Sequence, residues 1–291
     1  VDTFALGNLS VHRVGFGAMQ LPGPGVMGPP RDRDAAIAVL RRAVELGVDH
    51  IDTAQFYGPD VANELIRAAL HPYPDHLVLV SKVGATRDAD GGWLPAQRPE
   101  QLRSAVEENL RSLGVEQLGA VNLRLHDGQG HGDEHDEQPV ALEDQLGEMV
   151  ALRDEGKIAG VGISTATRAQ VQQAVDQAGI VCVQNAFSLL DQSDADVLDL
   201  CHEAGVAYVP YFPLGSAFPG TPKVVEDPAV LAVAARTGAT PAQVGLAWLL
   251  AHRPNVLLIP GTSSLAHLEE NVAVAEVGLS PEDVAQLERE R

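Results

Sequence analysis

His50-Ile51-Asp52-Thr53-Ala54-Gln55-Phe56-Tyr57-Gly58 is the stretch on which the fold turns. An apolar segment ends at Ile51, Asp52 and Tyr57 follow five residues apart, and Gly58-Pro59 closes the stretch as a turn. Read as a strand running into a loop, it puts a carboxylate at the strand's carboxyl end and a phenol just past it. A phenol is a useful acid only when a neighbour lowers its pKa from about 10 toward working pH. The fitting neighbour is a lysine, itself fixed by a carboxylate. Lys82 ends the next apolar run, 77–82, and His126 ends the one after that, 120–126. Taken singly, an Asp at a strand end caps a turn and a Tyr belongs to the core. Ionisable groups at the ends of successive strand-like runs point instead to one site.

Outward from this stretch the chain keeps a beat. Helical spacing of apolar residues marks 34–46, stopped by Gly47, then a strand at 48–53. Helices follow at 61–70, 99–113, 141–155, 168–178, 194–204, 241–252 and 265–275, with a helical insert near 228–237. Between them lie short Val- and Ile-rich strands at 77–82, 119–126, 159–164, 181–185, 206–211 and 256–260. With a first strand at 14–17, the pattern is eight strand–helix units. Residues 3–13 read as a hairpin turning at Gly7-Asn8, a floor for whatever the strands enclose. Ser280, Pro281 and Asp283 start one extra C-terminal helix. The fold class is therefore α/β: a (β/α)8 TIM barrel with an N-terminal β-hairpin and a C-terminal extra helix. No Gly/Ser-rich linker divides the chain, so residues 1–291 are expected to form a single domain. In such barrels the site lies at the carboxyl ends of the strands.

Composition narrows the function. Of 291 residues, 45% are hydrophobic but only 4% aromatic, so Ala, Val and Leu must fill the core. A net charge of -20 disfavours nucleic acid, whose phosphates need Lys and Arg, and anionic membrane surfaces. There is no apolar run of 18 residues and no basic n-region followed by an h-region at Val1-Asp2-Thr3. Cys182 and Cys201 are too few for a disulfide framework and read as buried thiols. The expected compartment is the cytoplasm.

Gly23-Pro24-Gly25-Val26-Met27-Gly28 matches the Gly-x-Gly-x-x-Gly dinucleotide pattern literally. The match fails on context. Pro29-Pro30 follows the third glycine, which should already lie in a helix, and the helix begins near Asp34. The segment reads as an irregular loop at the rim of the site.

Several further motifs fall at strand ends: Gly162-Ile163-Ser164, Val183-Gln184-Asn185, Tyr211-Phe212-Pro213-Leu214-Gly215, and Ile259-Pro260-Gly261-Thr262 followed by Glu270-Asn271. With Asp52-Thr53-Ala54, Tyr57, Lys82 and His126, in this order and spacing, the chain resembles the aldo-keto reductase family from end to end. Segments 17–25, 28–33, 93–95 and 261–264 are most similar to the bacterial pyridoxal reductases of that family. The resemblance implies reduction of a small carbonyl substrate by NADPH, with NADH possible, and no metal. It implies that Tyr57 protonates the carbonyl oxygen, with Lys82 and Asp52 tuning it and His126 polarising the carbonyl. By the same resemblance, Ser164, Thr165 and Gln184 hold the nicotinamide amide and Tyr211 stacks on its ring. Leu214, Gly215 and Ser216 lie along the pyrophosphate, and Gly261, Thr262, Ser263, Ser264, His267, Glu270 and Asn271 hold the phosphate end. Phe56 and Trp93 are expected to line the substrate mouth, Trp93 from a loop.

Three departures stand out. Thr165 replaces an Asn common in the family. Gly261 and His267 stand where basic residues often grip the 2′-phosphate of NADPH. An acidic loop, 127–138, with His131 and His135, replaces the usual aromatic-Pro continuation. A metal in that loop would need ligands at helix-fixed spacing, which it lacks. The main alternative to a reductase is a cofactor-binding sensor on the same barrel with little turnover. A metal-dependent isomerase or hydrolase is a more distant one.

Overall fold

The computed structural model describes residues 2–126, 140–215 and 222–289. The chain opens with a hairpin, β1 (Thr3–Leu6) and β2 (Leu9–His12), followed by β3 (Phe16–Gly17) and α1 (Arg33–Glu45). It continues with β4 (His50–Asp52), α2 (Val61–Leu70), β5 (Val78–Arg87), β6 (Trp93–Ala96), α3 (Pro99–Leu113), β7 (Ala120–Arg124) and α4 (Leu142–Asp154). Then come β8 (Val161–Ser164), α5 (Arg168–Ala178), β9 (Cys182–Gln184), α6 (Ala195–Ala204), β10 (Ala207–Tyr208), α7 (Pro228–Thr237), α8 (Pro241–His252), α9 (Leu265–Val272) and α10 (Pro281–Glu288).

The parallel sheet runs β3-β4-β5-β7-β8-β9-β10. Closure comes from the segment around Leu257. Parallel bridges join Val256 to Tyr208 and Leu258 to Val14, one to each open edge. The expected barrel is therefore the observed one, its eighth strand contributed as single bridges.

Strand pleat then sorts the side chains. On β5, Val80 faces the interior, whereas Ser81 donates outward to Asn109 Oδ1 of α3 at 2.6 Å. Leu6 and Val11 of the hairpin join Val80, Ala120, Cys182, Ala207, Val209 and Leu257 in one cluster, so the hairpin closes the barrel floor as its sequence implied. A larger core fills the space between sheet and helices, mostly Val, Leu, Ile and Ala with Phe16, Phe187, Tyr208 and Trp248 among them. Helix ends follow local chemistry. Asp32 caps α1 by accepting from Ala35 N at 2.9 Å, and Thr167 with Gln170 forms a capping box on α5. Gly114 ends α3 in the left-handed region at φ 72°.

Two elements differ from the sequence expectation. The third barrel strand runs on to Arg87 rather than ending at Lys82, and it folds back through a turn at Asp88–Gly92 into β6. Asp88 Oδ1 accepts from Asp90 N and Gly92 N at 2.9 and 2.7 Å, which holds that turn. Trp93 thus stands on a strand, opposite Arg87, rather than on a loop. The polar, glycine-rich run between the two strands concealed them. The last barrel helix also stops at Val272 and tightens into a 3₁₀ turn over Ala273–Glu276. Cys182 and Cys201 are free and buried, and burial pushes both thiols up to about 12.

Candidate active site

Asp52 and Lys82 are inward residues of adjacent strands, Asp52 sitting beside Val80 in register and Lys82 one pleat further on. Lys82 Nζ donates to Asp52 Oδ1 and, at 3.1 Å, to the carbonyl of Thr53. The second carboxylate oxygen accepts from Gln184 Nε2 at 2.6 Å. Asp52, Lys82 and Gln184 are 3%, 8% and 2% exposed, so water screens little of this pairing. Burial on its own would favour neutral Lys82. Its interaction with Asp52, then that with Tyr57, outweighs burial and holds the ammonium above the ordinary lysine range.

Tyr57 completes the cluster, with Lys82 Nζ 5.1 Å from its ring centroid. Burial pushes its phenol up most strongly, Lys82 pulls it down and Asp52 pushes it up again, leaving it above the ordinary tyrosine value. The lysine thus acts in the expected direction, but burial wins, correcting the expectation of a lowered pKa. Such a phenol holds its proton at neutral pH while a cation stands ready for the anion it would leave behind.

Around the mouth, Phe56 packs edge-on against Tyr57 at 5.5 Å and Trp93 at 5.3 Å. Phe56 is 2% exposed, so it backs the mouth, and the half-buried Trp93 forms the wall. Arg87 and Arg124 lie over the Trp93 ring, at 4.1 and 5.4 Å from its centroid. The glycine-rich loop is stitched into the same rim. Gly28 N donates to Gly58 O at 2.9 Å, and Arg87 Nη2 donates to Gly25 O at 2.9 Å. His126 is exposed just beyond β7. Leu125, preceding it, donates its amide to Ser164 O at 2.9 Å.

Among the described residues, those expected to hold a cofactor follow the neighbouring strand ends. Ser164 is buried, with its hydroxyl 3.4 Å from that of Thr165. Thr165 takes the left-handed conformation, φ 58°, and donates its amide to Gln184 O at 3.1 Å. That backbone disfavours a β-branched side chain and accounts for Asn as an alternative there. Gln184 turns its amide nitrogen down to Asp52, a contact the sequence did not foretell. Tyr211 is half-buried and edge-on to Phe212 at 5.2 Å. Gly215 N donates to Phe212 O at 2.9 Å, and Leu214 O accepts from Val224 N at 3.1 Å. A Cβ on Gly261 would lie 2.5 Å from Gly17 O, so only glycine lets these two strand ends meet. Thr262 accepts from Ser264 N at 3.0 Å, and Ser264 caps α9 by accepting from His267 N at 3.4 Å. Within α9, His267 is exposed and Glu270 and Asn271 are half-buried. Ser216 and the acidic loop 127–138 lie outside the described residues. Among those described, no cluster of His, Cys, Asp or Glu is arranged to hold a metal, and no helix is long and apolar enough to cross a membrane.

Sequence reasoning passed over Arg124. Its signal was the period-2 alternation Ala120, Asn122, Arg124, which sets all three on the inward face.

The aldo/keto reductase family model matches residues 13–290. The chain is 49% identical over 287 residues to pyridoxine 4-dehydrogenase of Escherichia coli strain K12, covering 99% of this chain and 97% of that protein. Among solved structures, it resembles a thermostable aldo-keto reductase in complex with the inhibitor epalrestat, with TM-score 0.81, 27% identity and 99% of each chain covered. It also resembles an aldo-keto reductase from Klebsiella pneumoniae in complex with NADPH, with TM-score 0.80, 26% identity, and 99% and 94% of the two chains covered. A closed barrel whose strand ends gather a buried tyrosine and a lysine–carboxylate pair agrees with both kinds of likeness, and this chain belongs to the aldo/keto reductase family.

Proposed function

We propose that this chain is an NADPH-dependent carbonyl reductase that converts a small aldehyde, with pyridoxal the leading candidate, to its alcohol. The observation that carries this reading is the buried Asp52–Lys82 pair beside a protonated Tyr57. The relative named for pyridoxine oxidation supports the choice of substrate, and the NADPH-bound relative supports the choice of cofactor.

The donor set fits a nicotinamide dinucleotide. Ser164, Thr165 and the side-chain carbonyl of Gln184 offer the mixed donors and acceptors that a carboxamide needs. Tyr211 offers a flat face for the ring. Leu214, Gly215 and Ser216 would follow the pyrophosphate. The Ser264-capped start of α9, with Gly261, Thr262, Ser263 and His267, offers hydroxyls and N–H groups to a phosphate, flanked by Glu270 and Asn271. No Lys or Arg occurs between Gly261 and Asn271, so discrimination against NADH rests on neutral donors and is expected to be weak, which makes NADH a usable alternative.

Bound NADPH would supply the hydride. Tyr57 would give its proton to the carbonyl oxygen, and Lys82, kept charged by Asp52, would stabilise the resulting phenolate until water reprotonates it. His126 would donate to the same oxygen, holding the carbonyl against Tyr57. Mixing the protein with NADPH and an aldehyde panel that includes pyridoxal tests the reading. Faster NADPH loss with at least one aldehyde is expected. Tight cofactor binding without turnover on any aldehyde would overturn the reading in favour of a sensor.

A further inference from the structure

Lys82 is paired with Asp52, but a second inward-facing cation at the same rim has no carboxylate partner among the described residues. Lys82 and Asn122 are register partners on β5 and β7, and one pleat beyond Asn122 the alternation brings Arg124 to the mouth. Its guanidinium carbon lies 5.4 Å from the centroid of Trp93. Among the described residues, its buried Nη1 finds no hydrogen-bond partner. A buried charged donor left unpaired is costly, and in this chain carboxylates are plentiful. Other arginines take them: Arg103 bonds Glu155, Arg236 bonds Asp283 and Arg253 bonds Asp199. Arg87, on the other side of Trp93, also carries buried nitrogens without a partner among the described residues, but its Nη2 is anchored on Gly25 O and it lies out on the hairpin arm. Arg124 alone of the two rises from the barrel interior, on the inward face it shares with Lys82.

We infer that Arg124 selects the substrate by binding an anionic oxygen, an ionised ring hydroxyl or a carboxylate, borne with the reacting carbonyl on a flat ring that lies along Trp93. The inference rests on the carbonyl-reductase reading of this site and adds to it a demand on the substrate's charge. Guanidinium suits the task because its planar fork matches an oxyanion and stays charged at every working pH.

The test compares wild type, Arg124→Met and Arg124→Lys on two neutral aldehydes, benzaldehyde and pyridine-4-carbaldehyde, and two anionic ones, 3-carboxybenzaldehyde and 3-hydroxypyridine-4-carbaldehyde. Arg124→Met is expected to lower kcat/KM on the anionic pair by about tenfold to a hundredfold, the range of one charged hydrogen bond. The neutral pair should stay within about threefold, and Arg124→Lys should recover part of the loss. A loss confined to one anionic aldehyde supports the inference and names the oxygen recognised. Equal losses on neutral and anionic aldehydes, or none on either, would overturn it while leaving the reductase reading intact. Salicylate binding, followed by tryptophan fluorescence, decides the matter without turnover. Arg124→Met should weaken it by about tenfold while binding of neutral benzamide is unchanged. If wild type reduces no aldehyde, the reductase reading fails, and equal salicylate affinity in wild type and variant would remove the inference as well.

Discussion

At the scale of single residues, the site depends on how burial and charge divide the control of Tyr57. In the proposed reaction, burial would hold its proton on and Lys82 would steady the anion, so the two effects would serve successive moments of one transfer. Because the phenol sits above the ordinary value of 10.0, its proton-donating form dominates at lower pH and is lost only as pH rises through that raised value. The rate of aldehyde reduction should therefore be flat from about pH 6 to about pH 9, with any fall due to Tyr57 confined above about pH 10. A rate profile halving near neutral pH would assign the proton to another group. Thr165 offers a second residue-scale forecast. At φ 58° a β-branched side chain is strained, and Thr165→Asn should raise stability by about 1 kcal/mol. A urea unfolding midpoint that stays or drops would show that the threonine hydroxyl outweighs the strain. The meeting of Asp52 and Lys82 was legible from sequence because each stands where an apolar run ends, and Tyr57 follows on the loop just past the first of them. Gln184's bond to Asp52 was not, since 132 positions separate the partners and nothing local encodes their meeting.

At the scale of elements, the helices were the most legible parts. The spans 61–70, 99–113, 168–178, 228–237 and 241–252 coincide with the observed helices, because an N-cap residue or a first-turn proline opens each one and a glycine or a nearby proline closes it. Strands were less so. β5 and β6 extend through a polar, glycine-rich turn that carries no alternation, and the eighth strand reduces to two bridges. Interior packing accounts for Gly162 on β8. A Cβ there would lie 2.3 Å from Asn122 Oδ1 and 2.6 Å from Cys182 Sγ, the same two groups that bond each other at 3.3 Å. Gly162→Ala should destabilise the fold by about 1–3 kcal/mol, measured by chemical denaturation, because neighbouring strands leave these side chains no room to yield. A neutral outcome would mean that the inner layer is looser than its distances.

At the scale of the whole molecule, floor and site occupy opposite ends of one barrel. The hairpin seals the amino ends of the strands with Leu6 and Val11, and the candidate site residues gather at the carboxyl ends. Leu6 is 3% exposed, and Leu6→Ala should lower stability by about 2–4 kcal/mol while leaving kcat and KM within about twofold. Thermal unfolding and steady-state kinetics on the same variant check both halves. A large loss of turnover at unchanged stability would show that floor and site are coupled. The barrel itself was legible from eight repeats of one unit, but the contacts that bring its two ends together, Arg13 with Val256 and Val14 with Leu258, join residues more than 200 positions apart, where periodicity is silent.

Tyr57 is the proposed proton donor, and Lys82, fixed by Asp52, is proposed to make it one. Single-turnover oxidation of bound NADPH by an aldehyde, compared between wild type and Tyr57→Phe, tests it most directly, with cofactor affinity measured separately. The chemical step is expected to slow by about a hundredfold or more while NADPH affinity stays within about twofold. A Tyr57→Phe protein that reduces aldehyde at the wild-type rate, or that loses cofactor binding in proportion, would contradict it.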